Sequence, residues 1–134
     1  MLGLAWPSLA QDAPTRSVVT VCAEAATRYA LQTEAYSDAI KPLMFDTRDN
    51  PTEQAQRLDK LQTRHDEFKQ AALGQEQERR VSLGWNAKDV ELDTQIKAWV
   101  IGNLLAFATD KYGQDKLFFK FYIVNRCKQQ FAAP

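Results

Sequence analysis

Two cysteines near opposite ends of the chain constrain its fold more than any other feature. Cys22 and Cys127 are the whole cysteine content of 134 residues, and neither belongs to a CxxC or CxxCH motif or has a histidine nearby in sequence. Zinc, c-type haem and thioredoxin-like redox chemistry are therefore disfavoured. The simplest prediction is one structural disulfide that closes a loop of about a hundred residues. Two buried free thiols are the alternative, because reduced cysteine packs as a small apolar residue.

The first segment with helical periodicity, A, spans about residues 15–41. Its apolar residues recur at intervals of three and four, which is the spacing of one face of an α-helix. They are Val18, Cys22, Ala25, Tyr29, Tyr36, Ile40 and Leu43. Pro42 disfavours helical geometry at Lys41, so A is expected to end there.

The second segment, B, carries a helix start signal. Asn50 can cap the helix, Pro51 suits the first helical position, and Glu53 can reach back to the cap. The apolar stripe that follows is narrow and the other faces are glutamine and charge, so B is expected at the edge of the fold. The stripe consists of Ala55, Leu58, Leu61, His65, Phe68 and Ala72. The sequence leaves open whether B ends at Gly74 or continues to Arg80.

Segments C and D complete the helical pattern. C starts with a cap at Asn86, runs to about Gly113 and is apolar on nearly every face of its middle, so it is expected to be the most buried helix. Gly102 within it is expected to allow close approach of a neighbouring backbone. D, about residues 115–131, contains the stretch Leu117–Val124, whose aromatic and β-branched residues also suit a strand. Because no other segment can pair with such a strand, a helix is predicted for D.

Four sequential helices with short connections predict an all-α fold, a four-helix up-down-up-down bundle. In such a bundle the start of A and the end of D lie at the same end, which brings Cys22 and Cys127 together. An odd number of antiparallel helices would separate them by the length of a helix. The prediction is a single helical domain, residues 11–134, closed by one disulfide.

The first ten residues, MLGLAWPSLA, resemble the back half of a secretory signal peptide. They are apolar and uncharged and end in Ser8-Leu9-Ala10, a small-x-small cleavage pattern, but they lack the positively charged start. A disordered cytosolic leader is therefore the alternative. The longest later apolar stretch, 98–108, is shorter than the ~17–25 residues of a membrane span. We expect residues 1–10 to be a signal remnant and the protein to be periplasmic or secreted, with no integral membrane segment.

Composition removes most catalytic and nucleic-acid chemistry from consideration. Lys plus Arg and Asp plus Glu each number 17, so the chain lacks the broad basic surface that non-specific nucleic-acid binding uses. His65 is the one histidine, and no Glu-x-x-His, P-loop, GxGxxG or GxSxG motif occurs. We therefore predict no enzyme, no catalytic residue, no metal site, no cofactor and no nucleic-acid partner.

Two connections are candidates for the recognition of a partner. The A–B connection combines an apolar pair with an arginine, and residues 74–88 combine two arginines with a tryptophan, which is the composition of interface anchors. The candidate partner-binding residues are Met44, Phe45, Arg48, Arg79, Arg80 and Trp85. The alternative is that the apolar members of both groups close the core. The two connections are expected at opposite ends of the bundle.

These features favour a non-enzymatic exported protein that binds another protein of the cell envelope, for example as an inhibitor, an immunity-type protein or a chaperone-like factor. A homodimer is compatible with the same pattern. The alternative is a bundle that holds a small apolar ligand or haem between its helices. The residues expected to line such a site are Tyr29, Tyr36, His65, Trp99, Phe107, Phe118, Phe121 and Tyr122. In that case Met44 is the evident second axial ligand beside His65, although a packing role for His65 is the simpler interpretation.

Overall fold

A computed structural model describes residues 14–45, 50–111 and 115–132. These residues form five α-helices and a short 3-10 turn, and none of them forms a strand, so the all-α prediction is confirmed for them. The helices are α1 (Val18–Phe45), α2 (Pro51–Leu83), α3 (Ala87–Gly102), α4 (Leu104–Lys111) and α5 (Phe119–Phe131), with the 3-10 turn at Lys116–Phe118. The expected signal remnant, residues 1–10, lies outside the described residues.

Helix α1 continues through Pro42 to Phe45, so the expectation that it ends at Lys41 is wrong. A proline inside a helix cannot donate the backbone hydrogen bond to the residue four positions earlier. Ile40 is buried and Leu43 is half-buried on either side of it. We attribute the continuation to this burial, which outweighs the local preference of the residue before a proline.

Helix α2 begins where the sequence predicts and ends later than either open alternative. The side chain of Asn50 accepts a hydrogen bond from the backbone N–H of Glu53 at 2.8 Å, and Pro51 occupies the first turn. The helix passes Gly74 without interruption. It ends at Gly84, whose φ of 65° lies in the left-handed region that glycine adopts without steric cost.

Segment C is interrupted at Asn103, which is why the described residues contain five helices and the expected count of four is not confirmed. Asn103 has φ −106° and ψ 4°, and its side-chain Nδ2 donates to the carbonyl of Trp99 at 2.7 Å. No backbone approaches Gly102 beside the break, so that expectation is wrong. A Cβ added to Gly102 would instead lie 4.0 Å from Nζ of Lys69.

The disulfide between Cys22 and Cys127 is present, with the two Cα atoms 5.8 Å apart, as the sequence predicted. It joins the start of α1 to the end of α5. At the other end of this pair, Lys116 contacts Asp38 late in α1 at 2.7 Å. Helices α1 and α5 are therefore antiparallel.

Polar contacts fix the directions of the remaining helices. The hydroxyl of Tyr29 donates to Glu76 at 3.0 Å, and Arg80 pairs with Asp93 at 2.6 Å. Together with the ring contact between residues 36 and 65, the first pair makes α1 and α2 antiparallel. The second pair places the end of α2 beside the start of α3. Thr15, just before α1, donates to Asp89 at the start of α3, so α1 and α3 run in the same direction.

The core lies around α1, which packs against α3, α4 and α5. Its fully buried apolar residues are Val21, Cys22, Ala25, Ala26, Ile96, Val100, Ile101, Leu104, Ala108, Ile123 and Cys127. Helix α2 buries only five of its 33 residues, which agrees with the edge position that its narrow stripe indicated. None of the helices described combines the length and the apolar character that a bilayer crossing requires.

Candidate functional site

A buried ionic cluster lies beside the disulfide end of α1. We define it as Glu24, Glu76, Arg80, Asp93 and Lys97. The side chain of Lys97 is fully buried. Its Nζ lies 2.5 Å from a carboxylate oxygen of Glu24, 2.9 Å from one of Glu76 and 3.0 Å from one of Asp93. Arg80 completes the cluster through its contact with Asp93. Each carboxylate therefore has a cation within contact distance, as buried charges require.

The cluster keeps its two glutamates ionised. Burial by itself would raise the pKa of Glu24, but hydrogen bonds from Lys97, Arg79 and Arg16 outweigh it and lower that pKa to about 2. Burial acts against ionisation of Glu76 as well, and the hydrogen bond and charge of Lys97 again bring its pKa below the ordinary value. Charged carboxylates with their cations in place have no proton to give, so this geometry is that of a structural cluster and not of a general acid.

Trp85 covers the exposed side of the ionic cluster. The guanidinium of Arg16 lies 4.6 Å from the centre of its ring, that of Arg79 lies 5.7 Å away, and Nζ of Lys97 lies 5.8 Å away. These are distances of cation–π contacts. The indole thus shields Lys97 of the cluster, together with the two arginines that pair with Glu24, on one side.

The structure brings together three of the sequence-predicted partner-binding residues, Arg79, Arg80 and Trp85, and it engages all three inside the molecule. Arg79 pairs with Glu24 at 2.7 Å, and Arg80 is buried against Asp93. Arg80 therefore offers no surface to a partner. Arg79 and Trp85 keep partial exposure, so a role for them in partner binding stays a prediction.

An apolar groove with a volume of about 680 Å³ lies at the other end of α1, between α1, α2 and α4. Its walls are mostly apolar, and its polar members are a histidine, two glutamines and a threonine. The residues that line it are Ile40, Leu43, Met44, Pro51, Gln54, Ala55, Leu58, Gln62, His65, Gly102, Leu105, Ala106 and Thr109. Met44 and Leu58 each have more than half of their side-chain surface exposed. The groove is therefore open to solvent, and part of its apolar wall is exposed.

His65 lies at the buried end of the groove and contacts Tyr36. Its Nδ1 is 3.2 Å from the hydroxyl of Tyr36, and the two rings meet edge to face with their centres 5.4 Å apart. The histidine is almost fully buried. Burial also raises the pKa of the Tyr36 hydroxyl. His65 thus has the neighbour that the packing interpretation expected, and it is also part of the groove wall.

Lys69 lies one helical turn after His65, next to Gly102. It is half-buried, and it forms no ion pair or hydrogen bond with any residue that the structure describes. The cations of the ionic cluster, by contrast, all have carboxylate partners. Lys69 is therefore a partly desolvated positive charge that has no counter-charge among the described residues, and it lies beside Gly102 at one end of the groove.

The other predicted partner-binding residues belong to the A–B connection. Met44 lines the groove, as described above. Phe45 ends α1 and its side chain is outside what the structure describes, as is the whole of Arg48. Met44 and Trp85 lie at opposite ends of α1, because Trp85 contacts Arg16 before its first turn.

Sequence reasoning missed the groove itself, since of the eight residues expected to line a ligand site His65 alone lines it. The stripe of segment B identified Leu58 and His65 as inward-facing, but the groove also needs the extension of α1 past Pro42 and the break at Asn103. The residues around Pro42 and Asn103 in the sequence do not predict either of these two features. Gly102 was the one sequence feature that pointed to the groove, because a glycine in an apolar helical run leaves space where a side chain would otherwise lie.

Within residues 14–45, 50–111 and 115–132, no group of three or more His, Cys, Asp or Glu is arranged to hold a metal ion. His65 and Met44, the pair that could serve as axial ligands of a haem, both line the groove. No family model, curated protein or solved structure matches this chain. Its function is therefore inferred from its own residues.

Proposed function

We propose that this chain is a non-enzymatic binding protein that holds a small apolar ligand in the groove between α1, α2 and α4. The groove is the observation that carries the proposal. Its volume of about 680 Å³ lies inside the range of about 300–1,000 Å³ typical of small-molecule sites. Apolar walls with a few polar groups at defined positions are also typical of such sites. Three helices support it, which favours a preformed site.

We propose that the helices act as an up-down-up-down bundle in which α3 and α4 together form the third, interrupted rod. The antiparallel pairs α1–α2, α2–α3 and α1–α5 support this arrangement. The interruption at Asn103 then has a role, because it leaves Gly102 exposed in the groove wall.

Export to the periplasm or to the medium remains part of the proposal. The disulfide supports it, because structural disulfides persist in oxidising compartments and are rare in the cytosol. The apolar start of the chain, which resembles part of a signal peptide, also supports export.

A neutral fluorescent probe tests the binding function. We expect the emission of N-phenyl-1-naphthylamine to rise on addition of the protein, because the dye is brighter in an apolar site. Gly102→Leu places a side chain in the groove, and we expect it to weaken binding at least tenfold. Gly74→Leu is the matched control, because a side chain there meets open space. Equal binding by the three proteins would exclude the groove as the site. A visible absorption band in protein purified from periplasm would identify haem as the ligand.

A second candidate function is binding to another protein of the cell envelope through the start of α5. Leu117, Phe118 and Phe121 each expose more than half of their surface, and their spacing places them together on one side of the turn. A contiguous exposed apolar patch of this kind is typical of an interaction site. A homodimer formed through the patch would bury the same apolar surface.

Photo-crosslinking in the periplasm tests this second function. A photoreactive amino acid at Phe121 is expected to give one discrete adduct. The control places the same amino acid at Leu31, which is a single exposed apolar residue on α1. An adduct of twice the chain mass would identify a homodimer. No adduct at Phe121, or the same adducts at both positions, would contradict a partner site on α5.

A further inference from the structure

We propose that the ligand of the groove is an amphipathic anion, namely a single-chain carboxylate whose alkyl tail lies along the apolar walls and whose carboxylate pairs with Lys69. The inference rests on the proposed binding function of the groove and names the chemical class of its ligand. It is carried by the unpaired ammonium at one end of the apolar surface.

The groove has two chemically different ends. Ala55 and Leu58 at the start of α2, with Met44 opposite them, form an apolar end. His65 and Lys69 follow on the same side of α2, since residues three and four positions apart share a helix face. At about 1.5 Å per residue, the distance along α2 from Ala55 to Lys69 is about 21 Å. This length matches one extended long alkyl chain with its head group.

The charge at the polar end selects the sign of the head group. None of the described residues that line the groove is charged. Of the charged residues beside it on α2, Lys69 is half-buried, whereas Asp66 is exposed and already accepts a hydrogen bond from Gln62 at 3.1 Å. Lys69 is half-buried and has no partner within the described part of the chain, and removing an ammonium from water without a counter-charge is unfavourable. A carboxylate would accept a charge-assisted hydrogen bond from it, which is stronger than a bond between neutral groups.

The position of Lys69 beside Gly102 supports the same conclusion. A Cβ on Gly102 would lie 4.0 Å from Nζ of Lys69, and apart from its chain neighbours and the backbone of its own helix no other described atom lies that close to it. The ammonium therefore reaches across from α2 to the end of α3, next to the groove wall. Glycine at this position leaves room beside the ammonium for a head group.

Three amphiphiles with the same tail provide the test: dodecanoate, 1-dodecanol and dodecyltrimethylammonium, each below the concentration at which it forms micelles. Binding is measured by displacement of N-phenyl-1-naphthylamine. We expect dodecanoate to bind about tenfold more tightly than dodecanol, the ratio that one charge-assisted hydrogen bond supplies, and the cation to bind most weakly.

Three variants then assign the preference to Lys69. Lys69→Met keeps an apolar stem of similar length, so we expect it to lose the tenfold preference for dodecanoate and to keep the affinity for dodecanol. Lys69→Arg retains the charge and is expected to restore the preference. Lys60→Met removes an exposed lysine of the same helix and is expected to bind as the original protein does.

The outcomes separate the ligand class from the binding function. Equal affinities for dodecanoate and dodecanol, or a preference for the cation, would overturn the inference and leave the groove as an apolar binding site. A preference for dodecanoate that persists in Lys69→Met would also overturn it. Failure of all three amphiphiles and of the neutral dye to bind would contradict the proposed function itself.

Discussion

The ammonium of Lys97 lies 2.9 Å from a carboxylate oxygen of Glu76, and neither side chain has more than 1% of its surface exposed. The residues come from α3 and α2, 21 positions apart in the chain. The other carboxylate oxygen of Glu76 accepts the hydroxyl of Tyr29 from α1 at 3.0 Å. This pair therefore connects three helices at one buried point.

Replacement of Lys97 by methionine is expected to lower the free energy of unfolding by about 3 kcal/mol. The reason is that Glu24, Glu76 and Asp93 would lose their shared cation while the carboxylates of Glu76 and Asp93 stay out of water, and breaking a buried pair on one side costs about 3–5 kcal/mol. Urea unfolding followed by circular dichroism measures the change.

Lys88→Met is the matched control for that variant. Lys88 and Glu91 form an exposed pair at 3.5 Å on the same helix, and pairs of this kind contribute about 0–1 kcal/mol. Similar losses in the two variants would contradict the view that the ionic cluster, and not α3 charge in general, holds the helices together.

Acid is expected to destabilise the protein through Glu24. The pKa of this group falls from 4.5 to about 2 on folding, because hydrogen bonds from Lys97, Arg79 and Arg16 outweigh the opposing effect of burial. A group whose pKa is lowered by folding contributes stability above its unfolded pKa and loses it as the pH falls towards its folded pKa. The free energy of unfolding should therefore decrease between about pH 4.5 and pH 2.

Unfolding by urea at a series of pH values tests this prediction with Glu24→Gln as the comparison. The variant cannot titrate at this position, so its stability should fall less steeply over the same interval. The pKa values of Glu76 and Asp89 are also lowered in the folded protein, so the stability of the variant should still fall to some extent as the pH decreases. Parallel curves for the two proteins would show that Glu24 does not contribute to the acid sensitivity.

Features encoded by neighbouring residues could be predicted from the sequence. The cap at Asn50 and the proline that follows it depend on local geometry. The helix of segment D was predicted in another way, because no other segment could pair with a strand there. The disulfide could be predicted because only two cysteines exist and an even number of antiparallel helices brings them together.

Features that depend on distant contacts could not be predicted. The ionic cluster joins Glu24 to Lys97 across 73 positions, and in the sequence both residues look like solvated surface charge. The continuation of α1 through Pro42 opposes the local preference and depends on tertiary burial. The groove depends on that continuation and on the break at Asn103, so it could not be predicted from the sequence either.

Loss of the disulfide is expected to lower the free energy of unfolding by roughly 4–5 kcal/mol. Cys22 and Cys127 are 105 positions apart, and in the chain-entropy model a crosslink over a loop of about a hundred residues restricts the unfolded chain by that amount. The measurement compares urea unfolding with and without a reducing agent. The double variant Cys22→Ala/Cys127→Ala should be as unstable as the reduced protein and should not respond to reductant. A difference below about 1 kcal/mol would mean that the native contacts alone hold the ends together.

Replacement of Pro42 by alanine is expected to raise the free energy of unfolding by about 1–2 kcal/mol. Alanine restores the backbone donor to the carbonyl of Asp38 and removes the clash of the proline ring, and this gain exceeds the greater freedom of the unfolded chain. Thermal and urea unfolding measure the change. Pro51→Ala is the control, because Pro51 occupies the first turn of α2, where no such donor is needed, and the same replacement there should give no gain. Destabilisation by Pro42→Ala would show that the proline shapes the end of α1, and with it the groove wall formed by Leu43 and Met44, instead of merely being tolerated there.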